Sequence, residues 1–572
     1  MDNLSERHKV PGTPPDVAKH SDSTDADGLE SRLSSSEVDD YDGETTLYNK
    51  KCVLVNRQID AMGMGRYQWY VWTLCGMGYV LDLLWALAFG LVLSPLQQEL
   101  GFGNDKSGNI SVAFSAGLTA GAFVWGVLVD ILGRQWSFNL TVLFTGAFGI
   151  TLGSLDSYTS FLVITAFVGF GVGGNIPIDT TIVLEFIPQN KRFLLALLSV
   201  FQPVGYVLAA AIAYGFIPSH SCSPNFTAGD DALPSCRNVV DGTPCCTKAS
   251  NMGWRYVMYT TGAISLAVFA LRFVIFNFRE SPKFLIYRGH DEKAIRVLEQ
   301  VADFNGSSCT LSMADFDTLS RTHSPPTPSS ISTIPILSHS TNTTTSPSTI
   351  SRLRLNLLSE AHRLALLFST PTMTRLTLLV WLTYICDFSA FTITGTYLPR
   401  ILALKNAHLD KSLTYTYRSY IYIYLPAILG VAVAASLYRA PRVGRKFTLA
   451  ASAALMAVSI FVFAAVNTPG ANIAASIAKY FFQLMFNAVL YGWTPETFPA
   501  PVRGTACGLA SFWGRLSGIV SPLVAQHLYA RVGTGGGEGD ANAVLYLAGG
   551  VMLGCVVTTL LLPGSVVGKD SL

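Results

Sequence analysis

The sequence predicts an all-α membrane protein with about twelve transmembrane helices in two pseudo-symmetric six-helix halves. Three observations predict it. Half of the 572 residues are hydrophobic and only 13% are charged, against about 25% charge in an ordinary soluble domain. The apolar residues gather into runs near the ~20 residues that carry a helix across a hydrocarbon core, where the backbone finds no water and must satisfy itself as helix. A motif also recurs. Glu185-Phe186-Ile187-Pro188-Gln189-Asn190-Lys191-Arg192 returns as Glu496-Thr497-Phe498-Pro499-Ala500-Pro501-Val502-Arg503, and Gly133-Arg134-Gln135 returns at the same shift as Gly444-Arg445-Lys446. Two matches at one shift mark a membrane unit copied in the same direction, an arrangement that points to transport rather than catalysis.

Residues 1–65 are polar and rich in Ser and Asp, and read as a disordered cytosolic tail. They hold no apolar h-region, so no cleaved signal peptide is expected. The N-terminal half, 66–278, has spans at roughly 69–94, 108–131, 135–154, 159–184, 193–217 and 254–277. Between the last two, 218–253 forms an extracytosolic loop with Cys222, Cys236, Cys245 and Cys246 and the sequon Asn225-Phe226-Thr227, a glycosylation candidate. Four cysteines allow three full pairings, and the spacing does not choose. A cytosolic linker, 279–375, holds an amphipathic helix near 292–304 and a disordered Ser/Thr/Pro-rich stretch at 324–351. The C-terminal half, 376–564, has spans near 376–400, 416–438, 447–466, 471–493, 504–528 and 542–562, and 565–572 is a short cytosolic tail. Lys50, Lys51, Arg57, Arg66, Arg134, Lys191, Arg192, Arg445, Lys446 and Arg503 fall in alternate loops, so the positive-inside rule puts that face and both termini in the cytosol. Arg400, Lys405 and Lys411 break the pattern. The expected location is a multi-pass position in the plasma membrane, with an internal membrane as the alternative.

Net charge is +2, which gives no reason to expect nucleic acid as a partner. There is no G-x-x-x-x-G-K-[ST] loop for ATP, no nucleophile elbow and no metal-ligand spacing, so no enzyme, metal or cofactor is expected. The glycines of Gly171-Val172-Gly173-Gly174 read as close helix packing. Charges inside spans cost a few kcal/mol each and therefore face a cavity or a partner. Asp82, Asp387, Lys479 and Arg515 lie mid-span. Asp179 and Arg272 lie toward the cytosolic ends of their spans, where a structural role reaching the interface is expected. The E-x-[IF]-P-x-x-x-R boxes suit a cytosolic gate, since Pro ends the helix and places Glu and Arg across a tight turn. Pro203 and Gly205 in the fifth span, and Gly514, Gly518 and Pro522 in the eleventh, read as paired breaks in cavity-lining helices. Gln202 and Trp513 sit beside them. Asn175, Tyr206, Gln483, Asn487 and Trp493 add polar or aromatic contacts.

On these residues the chain resembles the major facilitator superfamily over roughly 66–564. That family's loop between its second and third helices reads G-x-[LV]-x-D-R-x-G-R-[RK]. Here Asp130, Gly133 and Arg134 match, while Ile131 and Gln135 replace basic residues and Pro441 replaces the acidic position of the second copy. The thinner loop network shifts the expected closure onto Glu185, Arg192, Glu496 and Arg503. Gly169 to Asp179, Arg279-Glu280-Ser281-Pro282-Lys283-Phe284-Leu285 and Pro495 to Pro499 are similar to the synaptic vesicle glycoprotein 2-like branch near the sugar porters, which includes fungal nicotinate-type organic acid carriers. The seventh span lacks the paired glutamines of sugar porters, which lowers the case for a hexose.

The resulting expectation is a monomeric secondary transporter that moves a small polar organic solute by alternating access, with protons as co-solute. Arg515 would pair with a carboxylate, Asp82 or Asp387 would carry the proton, and Gln202, Asn487 and Trp513 would touch the solute. Asp130, Arg134, Glu185, Arg192, Arg445, Glu496 and Arg503 would form the cytosolic gate. The alternatives are a sugar or organic-cation carrier or uniporter on the same fold and, in another class, a non-transporting nutrient sensor.

Overall fold

A computed structural model describes residues 43–191, 193–223, 233–240, 242–275, 279–322, 365, 367–439, 444–498, 503–530 and 538–562. Among the described residues the membrane-spanning segments are helical. In the first half α1 is Gly43–Met62, α2 Arg66–Leu100, α3 Asn109–Leu132 and α4 Arg134–Leu152. These are followed by α5 Tyr158–Gly173, α6 Asn175–Phe186, α7 Phe193–Leu197, α8 Phe201–Phe216 and α9 Gly253–Ala270. The linker adds α10 Pro282–Tyr287, α11 Asp291–Asn305 and α12 Met313–Thr322. The second half runs α13 Pro371–His408, α14 Leu413–Tyr424, α15 Ala427–Arg439, α16 Gly444–Ala465, α17 Pro469–Thr497, α18 Arg503–Ala530 and α19 Glu538–Leu561. Among the described residues, ten helices are long and apolar enough to cross a membrane. The third and eleventh expected spans, α4 and α18, are also helical but do not belong to those ten; each carries polar residues on a face turned inward, Asn139 on α4 and Arg515 on α18. Large apolar side chains such as Leu429 and Val557 stand exposed on the outside, the reverse of a soluble surface.

The bundle has two faces. The disulfide loop covers one, and the linker helices cover the other. The halves meet where α3 packs on α18, α8 on α14 and α2 on α13. On the loop face Gly108 N donates to Gln526 Oε1 at 2.9 Å, Arg400 Nη2 to Asn104 Oδ1 at 2.8 Å and the Tyr417 hydroxyl to Leu91 O at 2.8 Å. On the linker face α7 reaches α15 and α17. Glycine sets the closest approach within the first half. A Cβ on Gly117 would stand 2.0 Å from Ala166 O, and one on Gly121 2.1 Å from Phe170 O. Gly173 meets Leu118 O in the same way, so the glycines of the fourth span serve packing, as expected.

Three helix interruptions place functional groups. The fourth span breaks at Gly174, which sets Asn175 at the start of α6. The fifth opens with α7 and a 3-10 turn at Leu198–Val200 before α8; the irregularity therefore precedes Pro203. The eleventh is not broken. α18 is continuous with Pro522 inside it, because the loss of one amide bond leaves the rest of the ladder in place. α9 ends in a π turn, Leu271–Ile275, that carries Arg272.

The loop pairs Cys222 with Cys246 and Cys236 with Cys245, the choice the spacing left open. Beneath it, buried Arg255 donates to Glu99 Oε1 at 2.6 Å and Asp156 Oδ1 at 2.7 Å. Glu99 also accepts from the Trp254 indole at 2.8 Å. The hydrogen bond from Lys248, aided by Arg255, holds the exposed Asp156 carboxyl below the usual carboxylate range, so this bridge persists until the pH falls below that range. Asn225 lies outside the described residues. At the other face the polar leader differs from expectation. Its residues 43–62 form α1, because Val55 and Ile59 find an apolar seat on Ile295, Leu298 and Phe316 of the linker. Lys51 pairs with Asp291 at 2.5 Å, and Gln58 accepts from the Thr310 hydroxyl at 2.8 Å. The predicted helix near 292–304 is α11.

Gly117→Leu should lower the melting temperature in detergent, since overpacking costs roughly 1–3 kcal/mol. Gly126→Leu on the same helix, where a Cβ meets nothing within 4 Å, should leave the melt unchanged. Equal melts for the two variants would refute the backbone-contact account.

Candidate functional site

A cavity lies between the halves. Its walls come from α2, α3, α5, α6 and α8 of the first half and from α13, α17 and α18 of the second. Of the residues singled out in the sequence, Asp82, Gln202, Tyr206, Asp387, Asn487 and Arg515 line it. Each is at least nine-tenths buried. The two carboxylates differ in surroundings. Asp82 Oδ1 accepts from Asn175 Nδ2 at 3.2 Å, while its Oδ2 has no hydrogen-bond partner among the described residues. Asn487, with its amide nitrogen turned toward Asp387, donates to both of that carboxylate's oxygens at 3.2 Å. Buried Lys479 supplies Asp387 with an opposite charge nearby. Lys479 itself donates to Gln483 Oε1, one turn on, at 2.6 Å and lies over the Tyr480 ring.

Arg515 reaches across the interface. Its Nη1 donates to Leu118 O of α3 at 3.2 Å and its Nε to Ser511 Oγ at 3.3 Å. It also feels Asp82 as an opposite charge on the other half. A guanidinium held by neutral partners on a cavity wall keeps donors free in a planar fork that suits a carboxylate.

Two assignments change. Trp513 does not line the cavity; it packs against Trp381, with ring centroids 5.7 Å apart, and against Phe512. It sits two residues from Arg515 and so faces away from it on the helix. Asp179 and Arg272 do not reach an interface. They are 1% and 0% exposed and pair with each other at 3.4 Å. Gly78 leaves them room, since a Cβ there would stand 1.8 Å from Asp179 Oδ2. Arg272 also donates to Leu74 O and Phe138 O, 3.0 Å each. Sequence reasoning missed Phe388, Phe391, Thr392 and Tyr491, all on the wall. The only signal was helical spacing, with Phe391 four residues after Asp387 and Tyr491 four after Asn487.

At the linker face, Glu185 pairs with Arg134 at 3.6 Å. Its observed partner is thus the Arg of the Gly-Arg motif. Arg192 lies outside the described residues, as do the side chains of Asp130, Glu496 and Arg503. Arg445 is half-buried at the start of α16, where its neighbour Lys446 donates to Leu562 O at 2.7 Å. The start of α4 is also held from outside the motif. Glu280 accepts from Arg134 N at 3.0 Å and Gln135 N at 3.3 Å, which caps α4 with a carboxylate where the helix dipole favours one. Gly133 has φ +97, and a Cβ there would meet Glu280. Arg134 lies over the Phe284 ring at 4.3 Å. The cap uses the backbone of residue 135, so losing a basic side chain there does not loosen it.

Two half-bundles around a largely apolar cavity that carries a few buried charged and amide groups define a multi-pass membrane carrier. The Major Facilitator Superfamily profile matches residues 74–441, and that of the Sugar (and other) transporter family matches 341–566. The chain belongs to the major facilitator superfamily. It is 32% identical to an MFS siderochrome iron transporter 1 from Ceriporiopsis subvermispora, over 98% of this chain and 99% of that one. It is 24% identical to a bovine synaptic vesicle 2-related protein (89% and 83% covered) and 24% identical to the niacin transporter NiaP of Acinetobacter baylyi (83% and 90%). Among solved structures it resembles the partially occluded inward open xylose transporter XylE from E. coli. The TM-score is 0.58 at 13% identity, with 86% of this chain and 96% of that one covered; this likeness carries the fold alone.

Glu280→Ala should destabilise the folded protein by roughly 1 kcal/mol through loss of the helix cap. Gln135→Ala should be silent in the same melting assay, because only its backbone takes part; a Gln135→Ala variant as unstable as Glu280→Ala would contradict the capping geometry.

Proposed function

We propose that the protein is a secondary active transporter that moves a small organic acid of nicotinate-like size by alternating access, together with a proton. The observation that carries this reading is the cavity between the halves, with Arg515 on one wall and the half-satisfied carboxylate of Asp82 on the other. Arg515 offers a carboxylate its paired donors. Asp82 takes the proton, because a buried carboxylate oxygen without a partner is costly while ionised and loses that cost when protonated. Asp387 is better compensated, since Asn487 donates to both of its oxygens, and holds the second half's wall together. A relative named for niacin supports the acid class.

Closure at the linker face rests on Arg134 and Glu185, with Glu280 fixing the first of them. Arg192 belongs to the same gate in the first half, and Arg445, Glu496 and Arg503 extend it into the second. Each chain contains both halves of the cavity, so a monomer suffices.

The test is uptake of labelled nicotinate and other organic acids into proteoliposomes. An inward-directed acid gradient should drive accumulation. Asp82→Asn should abolish gradient-dependent accumulation while leaving exchange of the acid measurable. Uptake indifferent to the gradient, with Asp82→Asn fully active, would remove proton coupling. Arg515→Met should raise KM by roughly 10- to 100-fold, the loss of a charged hydrogen bond. Glu185→Gln should slow transport at near-normal protein abundance; unchanged transport would sink the gate.

A further inference from the structure

Gln202 is not accounted for by this mechanism. It lies on α8, is 3% exposed, lines the cavity, and its Oε1 has no hydrogen-bond partner among the described residues. Asp82 has a similar orphan oxygen, but a proton satisfies that one. A carboxamide takes up no proton near neutral pH, so its oxygen can be satisfied only by a donor brought to it. Tyr206, one turn along the same helix, also lines the cavity. Its ring stands 5.6 Å from that of Tyr480, on the opposite half. The unpaired amide therefore borders an aromatic wall.

We infer that Gln202 is a specificity-determining residue and that the solute is a ring carboxylic acid carrying its own N–H or O–H donor. The inference rests on the organic-acid reading above and narrows it. The carboxylate engages Arg515 on the second half, the ring lies against the Tyr206 and Tyr480 side, and the donor meets Gln202 Oε1 on the first half. A solute held this way touches both halves at once, as an alternating carrier requires. Sites built to receive a substrate donor reject analogues that lack it more strongly than apolar pockets reject a missing methylene, because the rejected complex leaves a buried polar atom unpaired.

The experiment compares uptake of labelled 3- and 4-hydroxybenzoate with that of the matching fluorobenzoates in proteoliposomes under an acid gradient. Fluorine keeps the size and the carboxylate but removes the donor. The wild type should take up at least one hydroxy acid with a kcat/KM roughly 10- to 100-fold above its fluoro partner. In Gln202→Leu that ratio should fall to near one. In Gln202→Glu, which keeps the acceptor, the preference should persist. Wild-type ratios near one would overturn the proposal and mean that water satisfies the oxygen; a ratio preserved in Gln202→Leu would overturn it too. If the leucine variant takes up neither acid, the glutamate variant decides, and loss of preference there counts against the proposal. Failure of the wild type to take up any ring acid would remove the organic-acid reading itself, whereas equal uptake of both removes only the role of Gln202.

Discussion

A charge carried into hydrocarbon must be answered inside the protein, and this constraint arranges most of the structure. Asp179 and Arg272 answer each other across α6 and the π turn after α9, in a space that Gly78 leaves open. Lys405 answers the carbonyl oxygens of Phe463, Ala464 and Val466 at the end of α16, where a cation suits the helix dipole. Asp387 is answered by the Asn487 amide. Removing one partner of such a set leaves the other stranded, which costs more than the set itself contributes. After these pairings Asp82 and Arg515 remain, one on each half, with incomplete partners and a cavity between them. What the packing leaves unsatisfied is what a solute and a proton can use.

The two ends of the bundle are held differently. At the loop face the ties between halves are hydrogen bonds to backbone or amide groups, such as Gly108 to Gln526. Two disulfides and the Arg255–Glu99–Asp156 network stiffen the first half beneath them. At the linker face, charged groups gather at helix ends, with Glu280 and Glu185 both directed to Arg134. Water can enter and hydrate such charges, so this closure can be broken and remade. α1 and the linker helices form a small soluble core of their own against this face, and Asp60 of α1 accepts from Gln189 N at 2.6 Å within the first repeated box. The first repeated box is therefore joined to a separate packed unit.

Much of this was legible in the sequence, because membrane helices are written in long apolar runs and the duplication in a shared offset. The cavity charges could be read too, since a mid-span Asp or Arg is rare enough to be informative. Facing was less legible. Trp513 and Arg515 are two residues apart, and the glycine and proline pattern around them does not say which side of α18 turns inward. The loop cap depended on Glu280, far from Arg134 in sequence, and the departures at Ile131 and Gln135 spoke to the loop's charges and not to this backbone contact. α1 was hidden for a similar reason: its apolar stripe is thin and becomes a core only beside α11 and α12. The out-of-pattern Lys405 found its reason in three carbonyl oxygens of another helix.

The central claim is that the two halves rock about the cavity, so that the faces open alternately. Pulsed-EPR distances between non-natural spin-label residues test it directly, with one pair at Ser154 and Asn467 on the loop face and another at Tyr287 and Phe447 on the linker face. Addition of a transported acid at low pH should shift the two distance distributions in opposite directions. Distances that stay fixed on one face, or that change in the same direction on both, would contradict the account.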